Sequence, residues 1–131
     1  MDLRKDPRRL HAAYNDAAGV TGSFTLNLLR RMNRELGATF DPSQFAHDAS
    51  YNSAEGRIEI FFRSLRRQSV TVAGHSFAFA EGERVHTEYS YKYDLSGLEA
   101  LARDGGFELS EVWTDPGQLF AVAFLQANPN D

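Results

Sequence analysis

The sequence predicts an α+β fold, and three observations carry it. Apolar residues recur at helical spacing before Gly37. From Phe45 to Asp94 the period changes to two, broken by short polar or Gly-containing turns. After Asp94 one more helical stretch leads into a closing pair of strands. The expected architecture is N-terminal helices with an antiparallel strand meander, then a helix and strand pair. Two parts are expected, residues 1–94 and 95–131.

Asp6-Pro7 predicts a short helix through about Tyr14, with Asp as N-cap and Pro in the first turn. "YNDAAGVTG" is a break, after which Thr21 or Ser23 should cap a stronger helix, "FTLNLLRRMNREL". Phe24, Leu28, Leu29, Met32 and Leu36 form its stripe, and Gly37 should stop it. "FDPSQF" is a turn. "FAHDASYN", "RIEIFFRS", "QSVTVAG", "HSFAFA" and "RVHTEYSYKY" read as successive strands. "LSGLEALARDGGF" is a helix with a Gly stop, and a "DPGQ" turn joins "ELSEVWT" to "LFAVAFLQA". That last run is apolar on both faces, as in a strand covered on both sides. The terminal "NPND" reads as a frayed tail. Phe24, Phe61, Phe62, Phe77, Phe79, Phe107, Phe120 and Phe124 are expected in the core.

The 131 residues suit one modest domain, and 42% apolar with 24% charged residues are ordinary globular values. The absence of cysteine excludes disulfides and thiolate chemistry. A net charge of −4 with mixed signs argues against a nucleic-acid surface, and "RKDPRR" and "LRRQ" read as solvated faces. There is no apolar run of membrane-spanning length and no signal-peptide core, so a cytoplasmic protein is expected. The four histidines, His11, His47, His75 and His86, lack metal-ligand spacing, so no metal is expected. "HTE" lacks the Cys pair of a zinc deaminase, and "AAGVTG" lacks the Lys of a phosphate loop.

Two places invite a ligand. In "EGERVHTEYSYKYD" strict alternation puts Arg84, His86, Glu88, Ser90 and Lys92 on one face and Val85, Thr87, Tyr89, Tyr91 and Tyr93 on the other. Glu88 and Ser90 would then point the same way about 6–7 Å apart. That suits a grip on a small polar molecule, and it equally suits a wet strand. Tyr14 ends a helix before a Gly-containing turn, where its phenol either reaches a site or packs the helix end.

"AAYNDAAGVTGSFTLNLLRRMNRELGATFD" resembles a segment of the histidine-specific N-alpha-methyltransferases. These S-adenosylmethionine-dependent enzymes make trimethylhistidine for ergothioneine. The likeness continues through "RIEI", "GERVHTEYSYKY" and "WTDPGQLFAVAFL", in family order. It covers only the C-terminal portion of a typical member. The donor-binding half, with its Gly-rich loop, is not among these residues, so Met1 reads as the start of a fragment or of a truncated paralogue.

The resemblance implies roles for five residues. Tyr14 matches the tyrosine at the substrate's α-carboxylate end, and Glu88 and Ser90, in "TEYS", match the pair that hydrogen-bonds the imidazole. Ile60 matches the apolar wall beside that ring, and Thr21 lies in the loop that shapes the pocket. Relatives often have Asp in place of Asn15, Asn in place of Thr25 and His in place of Tyr91. No catalytic residue is implied; all five would position substrate. The implied function is S-adenosylmethionine-dependent methylation of the α-amine of L-histidine in a full-length enzyme. The chain alone is expected to be inactive and to bind no cofactor. Residues 95–131 would close a methyltransferase sheet, and "LFAVAFLQA", left without its neighbours, is expected to drive a homodimer. Two alternatives stand beside this. One is a non-catalytic domain that binds an amino acid or a partner chain. The other is methylation of a different aromatic amine, such as a tryptophan derivative, although a carboxylate at Glu88 favours imidazole over indole.

Overall fold

Asp6 opens helix α1 (Pro7–Tyr14) by accepting the Arg8 N–H at 2.8 Å, with Pro7 in the first turn as expected. The computed structural model describes residues 1–127, so the "NPND" tail lies outside the described residues. Helix α2 (Val20–Leu36) starts earlier than expected. Neither Thr21 nor Ser23 caps it. Gly19 turns the chain at φ 67°, and Asp16 accepts the Val20 N–H at 3.1 Å from before the helix. An acceptor ahead of the helix replaces the expected cap and frees both hydroxyls. Gly37 ends α2 in the left-handed conformation, as predicted.

Strands follow a 3₁₀ turn at Pro42–Gln44: β1 (Phe45–Asn52), β2 (Arg57–Ser64), β3 (Gln68–Val72), β4 (His75–Phe79) and β5 (Arg84–Tyr91). Then come α3 (Leu95–Asp104), β6 (Phe107–Thr114) and β7 (Ala121–Ala127). The α+β class and the antiparallel pairing hold. The simple meander does not. The main sheet runs β1-β2-β5, while β3 and β4 form a separate hairpin, closed by Ala73 and Gly74, both at positive φ. The chain leaves the sheet after β2 because Phe79 and Val70 of the hairpin pack onto Phe45, Phe40 and Phe62.

One irregularity sets the faces of the sheet. Phe61 pairs with His86, but Ile60 pairs with Glu88, so Thr87 is an extra residue on β5. The Thr87 hydroxyl donates to the Ile60 carbonyl at 3.0 Å. Before the bulge Val85 lies opposite buried Phe62; after it Glu88 and Ser90 lie opposite buried Ile60 and Ile58. Arg84 and His86 therefore share the outer face with Tyr89 and Tyr91, not the face of Glu88 and Ser90. Their contacts agree. His86 stacks on Tyr89 at 3.9 Å between centroids, and Arg84 bonds Asp48 at 3.0 Å while lying over Phe61.

The inner face carries two adjoining cores. One holds Leu29, Phe40, Phe45, Phe62, Val70 and Phe79, with Phe45 edge-on to Phe40, Phe62 and Phe79 at 5.5–5.6 Å. The other holds Leu10, Ala49, Ile58 and Ile60, with Tyr14 and Tyr51 at its border. Of the phenylalanines expected inside, Phe62 and Phe79 are buried, but Phe24, Phe77, Phe107, Phe120 and Phe124 are exposed. Helix α2 buries Thr25 and Leu29, so Phe24 and Leu28 face outward.

The first residues stitch the molecule together. Asp2 bridges to Phe120 and Leu3 to Tyr93. The Leu3 N–H donates to Leu119 O at 3.1 Å, and the Arg4 N–H to Tyr93 O at 2.8 Å. Helix α3 packs on β6, capped by Asp94, which accepts the Gly97 N–H at 2.7 Å.

Leu29 is 0% exposed and Phe24 is 69% exposed. Leu29→Ala should therefore cost about 3–5 kcal/mol, and Phe24→Ala no more than about 0.5 kcal/mol. Urea denaturation of the two variants beside the parent measures both.

Candidate functional site

Tyr14 is the last residue of α1, and the strand phase after the bulge aims Ser90 at it. The two hydroxyl oxygens lie 2.8 Å apart. Ile60 is buried beneath them with Ala49 and Leu10. Glu88 is the inner-face neighbour of Ser90, exposed, and free of hydrogen bonds and ion pairs among the described residues. It ends a groove of about 240 Å³ also lined by Phe24, Thr25, Asn27, Leu28, Arg31 and Thr87. Tyr14, Ile60 and Ser90 do not line that groove. Four of the five expected residues thus share one patch.

Thr21 does not join them directly. It sits in the first turn of α2, where its carbonyl accepts from the Thr25 hydroxyl at 3.1 Å. The Thr25 oxygen is 3.0 Å from His47 Nδ1, and His47 Nε2 is 2.8 Å from the Tyr14 carbonyl. A carbonyl only accepts, so Nε2 carries hydrogen and donates to it. The imidazole of β1 thereby fixes the end of α1 against the start of α2. Asn15 adds a bond from its side-chain amide to Ala49 O at 3.1 Å.

Sequence reasoning missed the group at the centre of the patch. Lys92 is 2% exposed. Its ammonium donates to Tyr14 Oη at 2.7 Å and to Ser90 Oγ at 2.7 Å, and it pairs with Asp2 Oδ2 at 3.0 Å. All three N–H groups are used. Asp2 also takes a hydrogen bond from Lys5, whose ammonium donates to Leu119 O at 2.8 Å. Burial works to raise the Asp2 carboxyl, but the bonds from Lys5 and Lys92 outweigh it, and the group lies below its ordinary value. Lys92 stands two residues after Ser90 on the same strand face, the one signal that could have found it. Asp2 had no local signal, because only tertiary contact brings it here.

Among the described residues no three His, Asp or Glu side chains gather as a metal site. No helix there is long and apolar enough to cross a membrane. Among the described residues the one strand-to-helix junction, β5 to α3, carries no Gly-rich loop, and the Asp94 carboxylate already occupies that helix N-terminus.

The chain matches known proteins along most of its length. The family model for the histidine-specific, S-adenosylmethionine-dependent methyltransferases matches residues 1–127. A histidine N-alpha-methyltransferase of Mycolicibacterium smegmatis is 43% identical over 124 residues, 93% of this chain and 39% of that protein. The Mycobacterium tuberculosis protein of the same name is 40% identical over the same shares. Ergothioneine biosynthesis protein 1 of Neurospora crassa is 31% identical over 117 residues, 87% of this chain and 13% of that protein. The chain spans about two fifths of the length of the two bacterial relatives.

The Asp2 carboxyl carries a pH dependence of known sign. Its folded value lies below its ordinary 3.8, so its contribution to stability is present above 3.8 and is lost as pH falls through the folded value. Asp2→Asn should lower stability at pH 7 and flatten the loss of stability below about pH 5. Thermal melts of parent and variant between pH 7 and pH 2 measure the difference.

Proposed function

The chain belongs to the histidine-specific, S-adenosylmethionine-dependent methyltransferases, and from that premise we propose that it is the part of such an enzyme that holds L-histidine while methyl groups are added to the α-amine. The observation that carries this reading is the unpaired Glu88 carboxylate beside the Tyr14–Ser90 hydroxyl pair, above a floor of Ile60. A carboxylate accepts from a ring N–H, a hydroxyl meets the second nitrogen, and an aliphatic floor takes the ring face. Indole, with a single N–H, leaves one of these groups unanswered. Thr21 acts at one remove, through Thr25 and His47.

The methyl group comes from the donor, and the residues of this chain align the amine that receives it. Alignment is the larger part of such a displacement. Tyr14, Glu88, Ser90 and Ile60 are positioning and binding groups. The donor itself is held by residues outside this chain, in keeping with bacterial relatives of whose length this chain covers 39%. Residues 95–127 close the sheet of the donor-binding domain, and residues 1–94 form the substrate-recognition part. The setting is a cytoplasmic biosynthetic enzyme, and the chain by itself transfers no methyl group.

The exposed apolar side chains of β6 and β7, with Trp113, Val122 and Phe124 each more than half exposed, support the reading of a sheet that continues. In isolation the chain covers them by self-association.

Amide NMR spectra of the chain titrated with L-histidine should shift saturably at Tyr14, Ile60, Glu88 and Ser90. Glu88→Ala should weaken binding by about 1.5–3 kcal/mol, and Ser90→Ala by about 1 kcal/mol. Arg84→Ala, on the outer face, should change it by less than about 0.5 kcal/mol. Equal effects of all three, or no shifts at these residues, would remove the assignment.

S-adenosylmethionine added to the same sample should produce no saturable shift. Micromolar binding would refute the division of labour.

Light scattering should find a dimer or larger species that Phe124→Ser converts towards monomer. A parent that stays monomeric at high concentration would contradict the self-association.

A further inference from the structure

The backbone of Tyr14 and its phenol are held by different residues. His47 holds the carbonyl at 2.8 Å, but the hydroxyl lies beyond two side-chain torsions. The Ser90 hydroxyl likewise has staggered wells to choose from. What holds both tips is the Lys92 ammonium. It donates to each oxygen at 2.7 Å, and the two oxygens lie 2.8 Å apart. The three atoms form a nearly equilateral triangle, so the ammonium favours neither hydroxyl and fixes both. It also lies 4.8 Å from the centroid of the Tyr14 ring, a second hold on the phenol.

Lys92 is itself well anchored. Its backbone N–H donates to Gly56 O at 2.8 Å, in the turn between β1 and β2, and its carbonyl accepts from Arg4 Nε at 3.4 Å. Asp2 Oδ2 takes the third ammonium hydrogen at 3.0 Å. With 2% exposure and no hydrogen to spare, Lys92 cannot touch a ligand. Whatever it does for the site goes through Tyr14 and Ser90. Its charge is offset by Asp2, so its effect is one of geometry.

We propose that Lys92 is a positioning residue for substrate binding, which orders the Tyr14 and Ser90 hydroxyls before the ligand arrives. This rests on the histidine-binding reading above, in which those hydroxyls touch substrate. A ligand that meets an ordered pair is spared the loss of entropy in freezing two side chains. Lys92→Met keeps an unbranched side chain of similar length and removes all three donors, so that loss would then fall on binding.

Two measurements on the chain test this. In the histidine-free state, three-bond couplings across χ1 of Tyr14 and Ser90 should report single rotamers in the parent and averaged rotamers in Lys92→Met. Titration with L-histidine should find Lys92→Met weaker by roughly tenfold, the scale of ordering two side chains on binding. With Ser90→Ala already in place one hydroxyl remains to be held, and the same change should weaken binding by only about threefold. Val70→Ala loosens the core that holds none of the patch and should stay within about twofold of the parent, which separates positioning from lost stability. If Lys92→Met strands Asp2 and does not fold, Asp2→Asn combined with Lys92→Met removes both charges and should show the same averaging and the same loss. Averaged rotamers in the parent, unaveraged rotamers or parent-like affinity in a folded Lys92 variant, a tenfold loss undiminished beside Ser90→Ala, or an equal loss in Val70→Ala would each overturn the inference and leave the histidine-binding reading standing. Failure of L-histidine to bind the parent would overturn both.

Discussion

One extra residue in one strand decides which side chains of β5 meet the end of α1. Without Thr87 as a bulge, alternation along β5 would put Val85, Thr87, Tyr89 and Tyr91 on the core side. The bulge changes the phase once. Val85 stays inside against Phe62, and Glu88 and Ser90 then take the inner positions opposite Ile60 and Ile58. The polar residues arrive where α1 ends, and the tyrosines move to the outer face, where Arg57 lies 3.8 Å from the Tyr89 ring centroid. Bulges commonly re-aim side chains beside functional sites, and here the re-aimed side chains are the ones proposed to meet imidazole.

The polar residues brought inside must be answered, and the fold answers them with a buried ammonium. Lys92 would be costly at 2% exposure were its donors unpaired. Tyr14, Ser90 and Asp2 satisfy all three. Asp2 lies on the segment that also bonds to Leu119 through Leu3 and Lys5. The Tyr14–Ser90 patch, the N-terminal segment and the β6–β7 hairpin are therefore mechanically joined. The shape of the patch depends on residues ninety positions away in the chain, held by charge-assisted bonds rather than by apolar packing.

The apolar surface left uncovered has a pattern. The outward stripe of α2, with Phe24 and Leu28, borders the groove that ends at Glu88. A second surface lies on β6 and β7. Both belong to a chain whose bacterial relatives are more than twice as long.

The sequence by itself determined the α+β class, the helix stops at Gly37 and Gly105, and most strand limits, because these follow from local periodicity and turn chemistry. Family resemblance carried Tyr14, Glu88, Ser90 and Ile60 to the patch they share. Period-two reasoning failed at Thr87, since a bulge breaks no propensity and leaves no mark that alternation can detect. It therefore placed Arg84 and Lys92 together, when they face opposite sides. It also expected a meander, because the choice between neighbouring strands is made by packing of Val70 and Phe79 on a distant phenylalanine cluster. Only the tertiary structure brought Asp2 and Lys92 to the site, and it did so because a buried cation must find its partners wherever in the chain they lie.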